Sequence, residues 1–465
     1  MANTGDFTTF SFSKPIERIA QRPFMEPWRF VYNVALSASW PLLWLYYRLR
    51  QATSGKYASS HRYRLGLELP QNLDTPSSPV WIHALSVGEV LSAAPLVHQI
   101  RSRRPQGSIV FSAATEKGFA VAQRELGPLV TTVFYLPHDH IWNMIRLVRR
   151  VCPAAFILVE TDLWPNLLRT LKKRHVPVLM VNARLSLRSF ARHRRFRLLS
   201  RSLMAFFDRI YVQSTDDARR FAALGVPEPR LRVAGNLKFD LAVLQKQKYA
   251  QSAFRPALIL KEGRPLWIAG STHDGEETTL LRAHRSLLRH HPRALLLLAP
   301  RHIERGARLA ALCDALGLRW ALRSRGNGVD AAQVLILDSI GELASLYPLA
   351  QGAFIGGSLV PFGGHNPLEA AVHGVPCCWG PHLDNFREIE SFLLHRGCGR
   401  RVEGEGGLLG FLLEVLDYGV WSLSRRNLCA LSVCNQAGAA SVIARDVIAL
   451  TAEGGVTVDA VKPLC

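Results

Sequence analysis

The sequence predicts an α/β protein in which two parallel sheets, each covered by helices on both faces, follow one another along a chain of 465 residues. From residue 80 onward, short apolar runs alternate with longer stretches of helical spacing, and this alternation is typical of β–α–β units. The alternation fades over residues 241–264, where Gln, Lys and Ala accumulate, and then begins again. An uncharged segment near the N-terminus stands outside both series.

The strand candidates are short runs rich in Val, Ile, Leu and Phe, as expected for strands buried on both faces of a parallel sheet. Those of the first series are Val80–Leu85, Ser108–Ala113, Thr131–Leu136, Ala155–Val159, Val176–Val181 and Arg209–Gln213. Those of the second series are Pro265–Ala269, Ala294–Ala299, Gln333–Leu337, Gly352–Gly356 and Val375–Trp379. Two Rossmann-like domains facing a central cleft are therefore expected, with ligands at the carboxyl ends of the strands.

This pattern divides the chain into five segments. They are an N-terminal extension (1–27), a membrane anchor (28–50), a first Rossmann-like domain (51–240), a linker (241–264) and a second Rossmann-like domain (265–465). The anchor contains the uncharged run Phe30–Tyr47 between two arginines. A membrane-spanning helix needs about 20 apolar residues, so a short signal-anchor and a membrane-associated helix lying in the interface both remain open. An ordinary buried helix is the alternative.

The charge balance indicates an anionic partner. Lys and Arg total 57 against 36 Asp and Glu, which gives a net charge of +21. Eight arginines lie between residues 184 and 209, interleaved with Phe and Leu, and such a stretch favours anionic lipid. Nucleic acid remains open at this point, although no RRM, KH or zinc-finger signature accompanies the stretch, and our final expectation is a chain without a nucleic-acid partner. A solvated arginine face explains the stretch equally well.

The overall composition excludes two classes of protein. With 48% hydrophobic and 20% charged residues, the chain is neither wholly disordered nor a polytopic membrane protein. The eight cysteines show no CxxC spacing and lie mostly in apolar runs such as Val375–Trp379. Buried thiols in a reducing compartment are therefore expected, with neither a disulfide framework nor a zinc site.

One acidic side chain follows the first strand of the first series, in the loop Ser86-Val87-Gly88-Glu89. A glutamate in the first turn of a helix stabilises the helix dipole, and this structural role alone would explain Glu89. The loop also lies where a Rossmann-like domain presents groups to its cleft. Taken by itself, Glu89 therefore remains open to both interpretations.

Two further carboxylates follow the fourth strand, in the run Glu160-Thr161-Asp162-Leu163-Trp164-Pro165-Asn166. Asp162 has the position of a helix cap. Glu160 ends a very apolar strand, and a buried carboxylate needs a partner or a task. Its candidate partners are Lys238, Arg184 and Arg188.

The most informative segment of the second series runs from Gly356 to Ala371. Its glycines let the backbone approach a ligand closely. Asn366 is expected to cap a helix, with Pro367 at the first position and Glu369 completing a capping box. A helix N-terminus behind a glycine loop predicts a phosphate site, although a well-capped helix explains the same residues. The sequence contains neither a P-loop nor a dinucleotide fingerprint.

Two other strand ends flank that segment. The first is Pro300-Arg301-His302 and the second is Asp338-Ser339-Ile340-Gly341-Glu342. Arg301 would meet a phosphate, and the turn at Gly341 would offer backbone donors to a base. Each strand end alone is ordinary loop chemistry, so the prediction depends on their combination.

Taken together, these motifs resemble a known family. They occur in the order Ser86–Glu89, Glu160–Asn166, Asn182–Ser186, Gly235–Asp240, Ser271–Glu277, Pro300–His302 and Gly364–Glu369. In this order they resemble the 3-deoxy-D-manno-octulosonic acid (Kdo) transferases of Gram-negative lipopolysaccharide synthesis, over roughly residues 28–445. The resemblance implies a GT-B glycosyltransferase that moves Kdo from CMP-Kdo to the lipid A precursor lipid IVA, with inversion and with no cofactor or required metal.

The resemblance also implies roles for individual residues. Glu89 would be the general base, and Glu160 and Lys238 would support the transition state. CMP would be held by Pro300, Arg301, Ile340, Gly341, Glu342, Asn366, Pro367, Leu368 and Glu369. The chain departs from the family at Ile340, where Met is frequent, and at Asp162, where Glu is common.

The implied acceptor is a phosphorylated lipid, which agrees with a basic chain that carries an apolar N-terminal segment. We therefore expect anionic inner-membrane lipid as a partner, with the catalytic domains on the cytoplasmic side, where CMP-sugars are made. Two alternatives remain at this point. One is a GT-B transferase that uses another nucleotide sugar, and the other is a membrane-tethered protein that binds an anionic ligand without catalysis.

Overall fold

The computed structural model describes residues 27–54, 57–70, 78–251, 263–325, 328–417 and 421–453. It contains two seven-stranded sheets. The first sheet comprises β1 (Val80–Ala84), β2 (Ile109–Ala113), β3 (Thr132–Tyr135), β4 (Ala155–Val159), β5 (Val178–Ala183), β6 (Arg209–Val212) and β7 (Leu231–Val233). The second comprises β8 (Leu266–Thr272), β9 (Leu295–Pro300), β10 (Trp320–Leu322), β11 (Val334–Ile336), β12 (Gly352–Ile355), β13 (Cys377–Trp379) and β14 (Gly399–Arg401).

Helices separate the strands along the chain. Those that precede β8 are α1 (Pro27–Ser54), α2 (His61–Arg64), α3 (Val87–Arg103), α4 (Glu116–Leu126), α5 (Ile141–Val151), α6 (Pro165–Lys173), α7 (Leu187–Arg195), α8 (Arg197–Met204), α9 (Thr215–Ala223) and α10 (Leu237–Gln251). Those that follow it are α11 (Glu277–Leu287), α12 (Gly306–Ala315), α13 (Leu343–Leu346), α14 (Leu368–Ala371), α15 (Arg387–His395), α16 (Gly404–Asp417), α17 (Leu423–Cys434) and α18 (Ala439–Glu453). We call the first sheet with its helices the first half and the second sheet with its helices the second half.

All strand pairs in both sheets are parallel, which confirms the predicted fold class. The strand orders are β3-β2-β1-β4-β5-β6-β7 and β10-β11-β9-β8-β12-β13-β14. The direction of winding therefore reverses between β1 and β4 in the first sheet and between β8 and β12 in the second. Ligands of doubly wound sheets bind outside the carboxyl ends of the strands at such reversal points.

The strands are apolar because helices cover both faces of each sheet. All five residues of β1 are buried, and all six of β9. One apolar cluster lies on each face of each sheet, and the fully buried Trp81 and Trp267 belong to clusters of the first and second half. This arrangement fixes the strand ends, and hence the loops that follow them, on a rigid support.

Three strands have no counterpart among the sequence predictions. These are β7, β10 and β14, each three residues long and at or beside a sheet edge. Their residues are partly exposed, so they lack the continuous apolar pattern of the central strands. Short, half-exposed edge strands carry too little pattern to be recognised from sequence.

The connection between the halves also differs from the predicted polar linker over residues 241–264. Residues 241–251 continue helix α10, while residues 252–262 lie outside the described residues. Leu237 at the start of α10 packs in a core cluster of the first half, and Phe239 and Ala242 pack in one of the second. Helix α10 is therefore an apolar bridge that contributes to both cores.

Helix α18 returns to the first half, although the sequence assigned residues 265–465 to the second domain. Ala440, Ile443 and Val447 are buried against the first sheet. The carboxylate of Asp446 accepts a hydrogen bond of 2.6 Å from the Tyr211 hydroxyl. It also forms ion pairs with Arg209 at 3.3 Å and Arg232 at 2.6 Å, so Arg209 belongs to this contact and not to the basic surface.

The N-terminal segment forms helix α1, which lies against the first half along much of its length. The Tyr32 hydroxyl donates to Asp139 Oδ2 at 2.9 Å, and Tyr47 Oη lies 2.7 Å from His138 Nε2. The opposite side of α1 exposes large apolar side chains, which are Phe30, Val31, Val34, Leu42, Leu45 and Leu49. Apart from Pro27, the predicted extension 1–27 lies outside the described residues.

Within the ranges that the structure describes, one stretch is long and apolar enough to cross a membrane, namely Leu423–Ala452, and not the predicted N-terminal segment. This stretch comprises α17 and most of α18, and a third of its most apolar window is buried inside the protein. Since α18 packs on the first sheet, these helices belong to the folded body.

The seven described cysteines are free thiols, in agreement with the expected absence of a disulfide framework among these residues. Five of them are buried, Cys434 is half-buried and Cys152 is exposed. Burial raises the pKa of the Cys313 thiol to about 12. Such thiols behave as apolar core groups. Cys465 lies outside the described residues.

Candidate active site

Glu89 lies in the first turn of α3, at the reversal point of the first sheet. Its backbone N–H donates to the cap residue Ser86, while its carboxylate accepts from Leu85 N at 2.7 Å and from Ser86 Oγ at 3.1 Å. These bonds form a capping box, so the structural role considered for Glu89 is present. Its pKa is nevertheless raised to about 7, chiefly by desolvation and in addition by the nearby carboxylates Glu160 and Asp162, against the lowering effect of the hydrogen bonds from Leu85 and Ser86.

This combination gives Glu89 two properties at once. A carboxyl group with a pKa near 7 is poised to accept a proton at neutral pH. The capping bonds hold both of its oxygens in place on a rigid element. The side chain is therefore suited to act as a general base as well as a helix cap.

Glu160 follows β4, the strand beside β1 at the same reversal point. Its backbone is left-handed, with φ of 63°, which is uncommon for a residue other than glycine. Its N–H donates to Val181 O at 2.8 Å, and its Oε1 accepts from Asn182 Nδ2 at 3.4 Å. The Glu160 carboxylate is close enough to Glu89 to raise the pKa of Glu89, so both groups belong to the same edge of the sheet.

Asp162 does not cap helix α6, which corrects the structural role predicted for it. The carboxylate that caps α6 is Asp139, which accepts from the N–H groups of Asn166 at 2.8 Å and Leu167 at 2.9 Å. Asp162 Oδ2 accepts instead from Trp164 Nε1 at 2.7 Å. It also lies 4.0 Å from His83 Nε2.

Asp139 also connects helix α1 to the neighbouring carboxylate of Asp162. Burial raises its pKa to about 7, against the stabilising hydrogen bonds from α6, and Asp162 contributes in the same direction. The Tyr32 hydroxyl donates to it, and the pKa of Tyr32 is raised by burial and by Asp139 and Asp162. Helix α1 is thus in direct contact with the residues that surround the candidate base.

Lys238 lies at the start of α10, where the two halves meet. Its ammonium group is 4.4 Å from the ring centroid of Phe386, which belongs to the second half. Burial lowers its pKa, Glu160 and Glu388 raise it, and Arg184 lowers it. Of the partners predicted for Glu160, Lys238 is therefore electrostatically close, although no ion pair within 4 Å joins them in the described part of the chain.

A network of amides holds the Lys238 loop. Asn182 Oδ1 accepts from Leu237 N at 3.1 Å, and Asn236 Oδ1 accepts from Lys238 N at 3.0 Å. The Asn236 Nδ2 group donates to Glu388 Oε2 of the second half at 3.3 Å. The carboxyl edges of the two sheets therefore face one another across this loop.

In the second half, a glutamate occupies the backbone nest of the glycine loop. The Glu276 carboxylate accepts from the N–H groups of Gly357 at 2.7 Å, Ser358 at 2.9 Å and Leu359 at 2.9 Å. It also accepts from His273 N at 2.8 Å. These donors are consumed inside the protein, so the N–H groups of Gly357, Ser358 and Leu359 are not available to a ligand. The predicted phosphate site at the helix N-terminus near Asn366 lies further along the chain.

The helix that follows the glycine loop comprises the four residues Leu368–Ala371, so Pro367 flanks it instead of occupying the predicted first position. Asn366 therefore precedes the flanking residue, although its Oδ1 accepts from Leu368 N at 3.2 Å as a capping side chain would. The capping-box hydrogen bond predicted for Glu369 is absent among the described residues. Burial raises the pKa of Glu369 to about 7, while nearby Arg301 lowers it.

Arg301 follows β9 and remains free to meet a ligand. Pro300 before it is buried, and Arg301 N donates to Thr272 O at 2.9 Å. The guanidinium is exposed, and no side-chain hydrogen bond or ion pair engages it within the described ranges. It is close enough to Glu369 and His365 to influence the pKa of each. An uncompensated cation at this edge attracts an anion.

In the turn at Ile340, Gly341 and Glu342, hydrogen bonds hold the side chain of Glu342, whereas Ile340 and Gly341 are accessible. Glu342 accepts from Arg323 at 3.0 Å and from the Ser339 hydroxyl, so its carboxylate holds the loop. Gly341 has a φ of 94°, and nothing lies within 4 Å of where a Cβ would be. Ile340 is 79% exposed. Its backbone and that of Gly341 therefore remain accessible to a ligand.

The structure thus groups the predicted residues into two clusters on facing sheet edges. Glu89, Glu160 and Lys238 form the first, with Asp139 and Asp162 as neighbours that the sequence did not predict in these roles. Arg301 and Glu369 form the centre of the second. Within the ranges described, no group of three or more His, Cys, Asp or Glu side chains is arranged to hold a metal ion.

The comparisons with known proteins are consistent with one another. Residues 59–241 match the family model described as 3-deoxy-D-manno-octulosonic-acid transferase (kdotransferase). The chain is 36% identical to the 3-deoxy-D-manno-octulosonic acid transferase of Haemophilus influenzae over 79% of this chain and 85% of that protein. It is 32% identical to the transferase of that name from Bordetella pertussis over 83% of this chain and 91% of that protein.

A search of solved structures supports the fold. The UDP-GlcNAc 2-epimerase of Neisseria meningitidis bound to UDP-GlcNAc superposes with a TM-score of 0.58. The match covers 80% of this chain and 99% of the epimerase at 12% sequence identity. At that identity the likeness concerns the architecture of two facing α/β halves only.

Proposed function

The chain belongs to the 3-deoxy-D-manno-octulosonic acid (Kdo) transferase family, and we propose that it moves Kdo from CMP-Kdo to the lipid A precursor lipid IVA with inversion. As a glycosyltransferase, it joins a sugar to an acceptor hydroxyl. The observation that carries the proposal is Glu89, a carboxyl group with a pKa of about 7 fixed at the reversal point of the first sheet. The facing edge of the second sheet carries the unengaged cation Arg301.

The proposed displacement uses the two clusters on opposite sides of the sugar. The acceptor hydroxyl oxygen bonds to the anomeric carbon of Kdo, and its proton passes to the Glu89 carboxylate. The bond between the anomeric carbon and the phosphate oxygen breaks, and CMP leaves with the electron pair. Attack on the face opposite the leaving group inverts the anomeric carbon. Glu160 and Lys238 stabilise the charge that develops on the sugar and on the departing phosphate in the transition state.

The donor nucleotide lies against the second half in this proposal. Arg301 binds its phosphate, and the open turn at Ile340 and Gly341 provides backbone groups for the base. Asn366, Pro367 and Leu368 border the phosphate. Glu369 accepts from the ribose hydroxyls. Glu342 acts by holding its turn through the ion pair with Arg323 and not by touching the nucleotide.

Direct transfer tests the proposed function. The full chain is incubated with CMP-Kdo and lipid IVA, and the products are analysed by mass spectrometry. We expect the acceptor to gain the mass of Kdo in the presence of the unmodified protein. Transfer from a different nucleotide sugar only would support the alternative GT-B reaction. CMP binding without any transfer would contradict the enzymatic proposal.

Replacing Arg301 with Ala is expected to weaken CMP binding by about tenfold or more, because a charge-assisted hydrogen bond is worth roughly 1.5–3 kcal/mol. The same range applies to Glu369→Gln, which removes an acceptor for ribose hydroxyls. Calorimetric titration with CMP measures both. Arg285→Ala in α11 is the control, since Arg285 is exposed and belongs to another surface of the same half. Normal CMP binding by both site variants would place the nucleotide elsewhere.

We also propose that the exposed side of α1 rests on an anionic inner membrane, with the catalytic halves on the cytoplasmic side. This side of the helix carries Phe30 and Leu42, which are 76% and 69% exposed, and Trp142 at the start of α5 is 67% exposed. Helices α7 and α8 add exposed Leu187, Phe196 and Leu198 among exposed arginines. Apolar side chains interleaved with arginines are typical of a surface that lies on anionic lipid.

The docking of α1 favours an interfacial helix over a spanning one. Tyr32 and Tyr47 bond to the loop at residues 138–139, so one side of the helix is occupied by protein along its length. In this proposal the lipid surface lies near the carboxylates around Glu89, which is supported by the contact between Tyr32 and Asp139. A membrane-embedded acceptor could reach the base from that side.

Introducing glutamate at Leu42 and Leu45 together is expected to reduce vesicle binding more than tenfold, because burying each leucine is worth about 1.5–3 kcal/mol. Sedimentation with vesicles that contain phosphatidylglycerol measures the change. Substitution is preferable to deleting α1, since deletion would also remove the contacts of Tyr32 and Tyr47. Leu431→Glu, at an exposed leucine of α17, is the control.

The contribution of the arginines to vesicle binding is tested separately. Arg194→Glu with Arg197→Glu should weaken binding at low salt and have a smaller effect at high salt, because exposed charges are screened over about 8 Å at physiological ionic strength. Unchanged vesicle binding by both double variants would contradict the proposed surface.

A further inference from the structure

Two histidines in the second half contact each other through their ring nitrogens. His273 Nε2 lies 2.9 Å from His365 Nε2, and the ring centroids are 5.2 Å apart with the planes 14° from parallel. Phe362 stacks on the outer side of His273 with a centroid distance of 4.3 Å. A nitrogen–nitrogen contact this short requires one N–H and one lone pair, so the pair holds a single proton between the two Nε2 atoms.

The backbone fixes both rings at the reversal point of the second sheet. His273 follows β8 and donates its N–H to Glu276, while His365 N donates to Gly356 O at 3.2 Å. A Cβ at Gly357 would lie 3.2 Å from His273 Cδ2 and 3.3 Å from His365 Cδ2, so the rings border this glycine directly. The pair therefore lies where a ligand of a doubly wound sheet is expected.

The charged groups around the pair leave one cation uncompensated. On the β8 side, the Arg305 guanidinium forms ion pairs with Asp274 at 3.0 Å and with Glu277 at 2.5 Å. Glu276 is engaged by four backbone N–H groups. On the β9 side, Arg301 has no protein partner among the described side chains.

Burial disfavours the charged form of both rings in the free pair. The pKa of His365 is lowered to about 4, chiefly by burial and in addition by Arg301 and His273. The pKa of His273 is lowered by burial and by His302, Arg301 and Arg305. The ring of His302 is 6.2 Å from that of His273, and Arg301 also lowers the pKa of Glu369. An anion that enters beside Arg301 would reverse this balance, because it favours the charged imidazolium.

We propose that His273 and His365 bind an anionic oxygen of the donor, a phosphate or carboxylate oxygen, by separating their Nε2 atoms and taking up one proton from solvent. Both Nε2–H groups then donate toward the anion, and Arg301 provides the second cation. This inference rests on the proposed function, since it assigns the pair to the nucleotide-sugar site. It adds two ligand-binding residues and a proton to that site.

The affinity for the donor is expected to depend on pH. Binding raises the pKa of the pair, so donor affinity is highest at low pH and is lost as the pH rises through the pKa of the bound pair. Between the free and bound pKa values the affinity falls by up to about tenfold per pH unit for each proton taken up. For His365 this window begins at about 4.

Calorimetry in two buffers with different ionisation enthalpies measures the proton taken up per ligand bound. Unmodified protein, His365→Gln and His273→Gln are titrated with CMP at one pH, and His395→Gln, at an exposed position at the end of α15, is the control. The variants and the unmodified protein are compared at the same pH because the phosphate of CMP itself titrates, with a pKa of about 6. Cytidine and free Kdo are titrated separately to distinguish phosphate from carboxylate.

We expect proton uptake with CMP or with Kdo but not with cytidine, and its loss in both site variants together with about tenfold weaker binding. Thermal unfolding of each variant establishes that it is folded. Folded site variants that bind CMP and Kdo as the unmodified protein does, with the same proton uptake, would overturn this inference alone. Absence of CMP binding by the unmodified protein would overturn the proposed function, and the inference with it.

Discussion

Glu89→Gln is expected to lower the rate of Kdo transfer by about 10² to 10⁴-fold, because removal of a general base typically has an effect of that size. Gln keeps the size of the side chain and one acceptor oxygen for Leu85 N or Ser86 Oγ. It cannot accept the proton of the acceptor hydroxyl. CMP affinity should stay near that of the unmodified protein, because the nucleotide lies in the second half. Single-turnover kinetics and calorimetry measure these two quantities.

The pH profile provides a second measurement on the same residue. The Glu89 carboxyl must be ionised to accept a proton, and its pKa is about 7. Transfer by the unmodified protein should therefore fall as the pH decreases through about 7, with an approximately tenfold loss per pH unit below it. This limb of the profile should disappear in Glu89→Gln. Glu89→Asp keeps an ionisable group and should retain the limb at a lower rate.

The chain offers a matched control for the capping role. Asp217 in the first turn of α9 bonds to its cap residue in the same way, since its carboxylate accepts from Ser214 Oγ at 2.7 Å and its N–H donates to that oxygen at 3.1 Å. It also accepts from Leu185 N at 2.9 Å and forms an ion pair with Arg220 at 3.2 Å. Asp217→Asn should therefore cost a similar amount of stability, about 0.5–2 kcal/mol, and leave most of the transfer rate. Equal losses of rate in the Glu89 and Asp217 variants would show that capping, and not proton transfer, explains Glu89.

Glu160→Gln separates the two carboxylates at the reversal point. Gln keeps an acceptor for Asn182 but removes the negative charge that stabilises the buried ammonium of Lys238, so this variant should lose stability as well as rate. A folded Glu89→Gln protein that transfers Kdo at near the unmodified rate would contradict the assignment of the base. Glu160 would then be the first alternative.

The central strands and the loops that follow them could be predicted from sequence because each depends on local patterns. A strand covered on both faces is a continuous apolar run, and a polar residue that follows it, Glu160 directly after β4 or Glu89 in the helical turn after β1, marks the sheet edge. The reversal points then bring separate loops together without further information. This is why most of the candidate site could be assembled before any geometry was available.

The remaining features depend on contacts between distant parts of the chain. Glu276 fills the backbone nest at Gly357, and Asp139 caps the helix that begins after Trp164, although in each case the partner is far away in sequence. Local spacing predicts glycines that approach a ligand at the first site and Asp162 as the cap at the second. In both places a carboxylate from elsewhere in the fold occupies the donors, and no local pattern indicates which one.

Lys238 shows how a residue can be predicted while its surroundings are not. Its motif places it after a turn, but the structure places it between the halves, with Phe386 on one side and the electrostatic influence of Glu160 and Glu388 on the other. Burial lowers its pKa, which disfavours the ammonium unless an anion compensates it. The carboxylate of Kdo and the departing phosphate are the anions that the proposed reaction brings to this position.

Lys238→Met is expected to lower the rate of transfer by about 10² to 10³-fold, the usual effect of removing one group that stabilises transition-state charge. CMP affinity should change much less, because the lysine meets the sugar and the reacting phosphate. Lys248→Met is the control on the same helix, since Lys248 forms an exposed ion pair with Glu125 at 3.4 Å. Phe386→Leu removes the ring contact but keeps the ammonium group of Lys238. If this variant loses no more than about tenfold in the rate of transfer, the larger loss in Lys238→Met reflects catalysis and not the contact between the halves. A Lys238→Met protein with near-normal kcat would assign Lys238 to that contact alone.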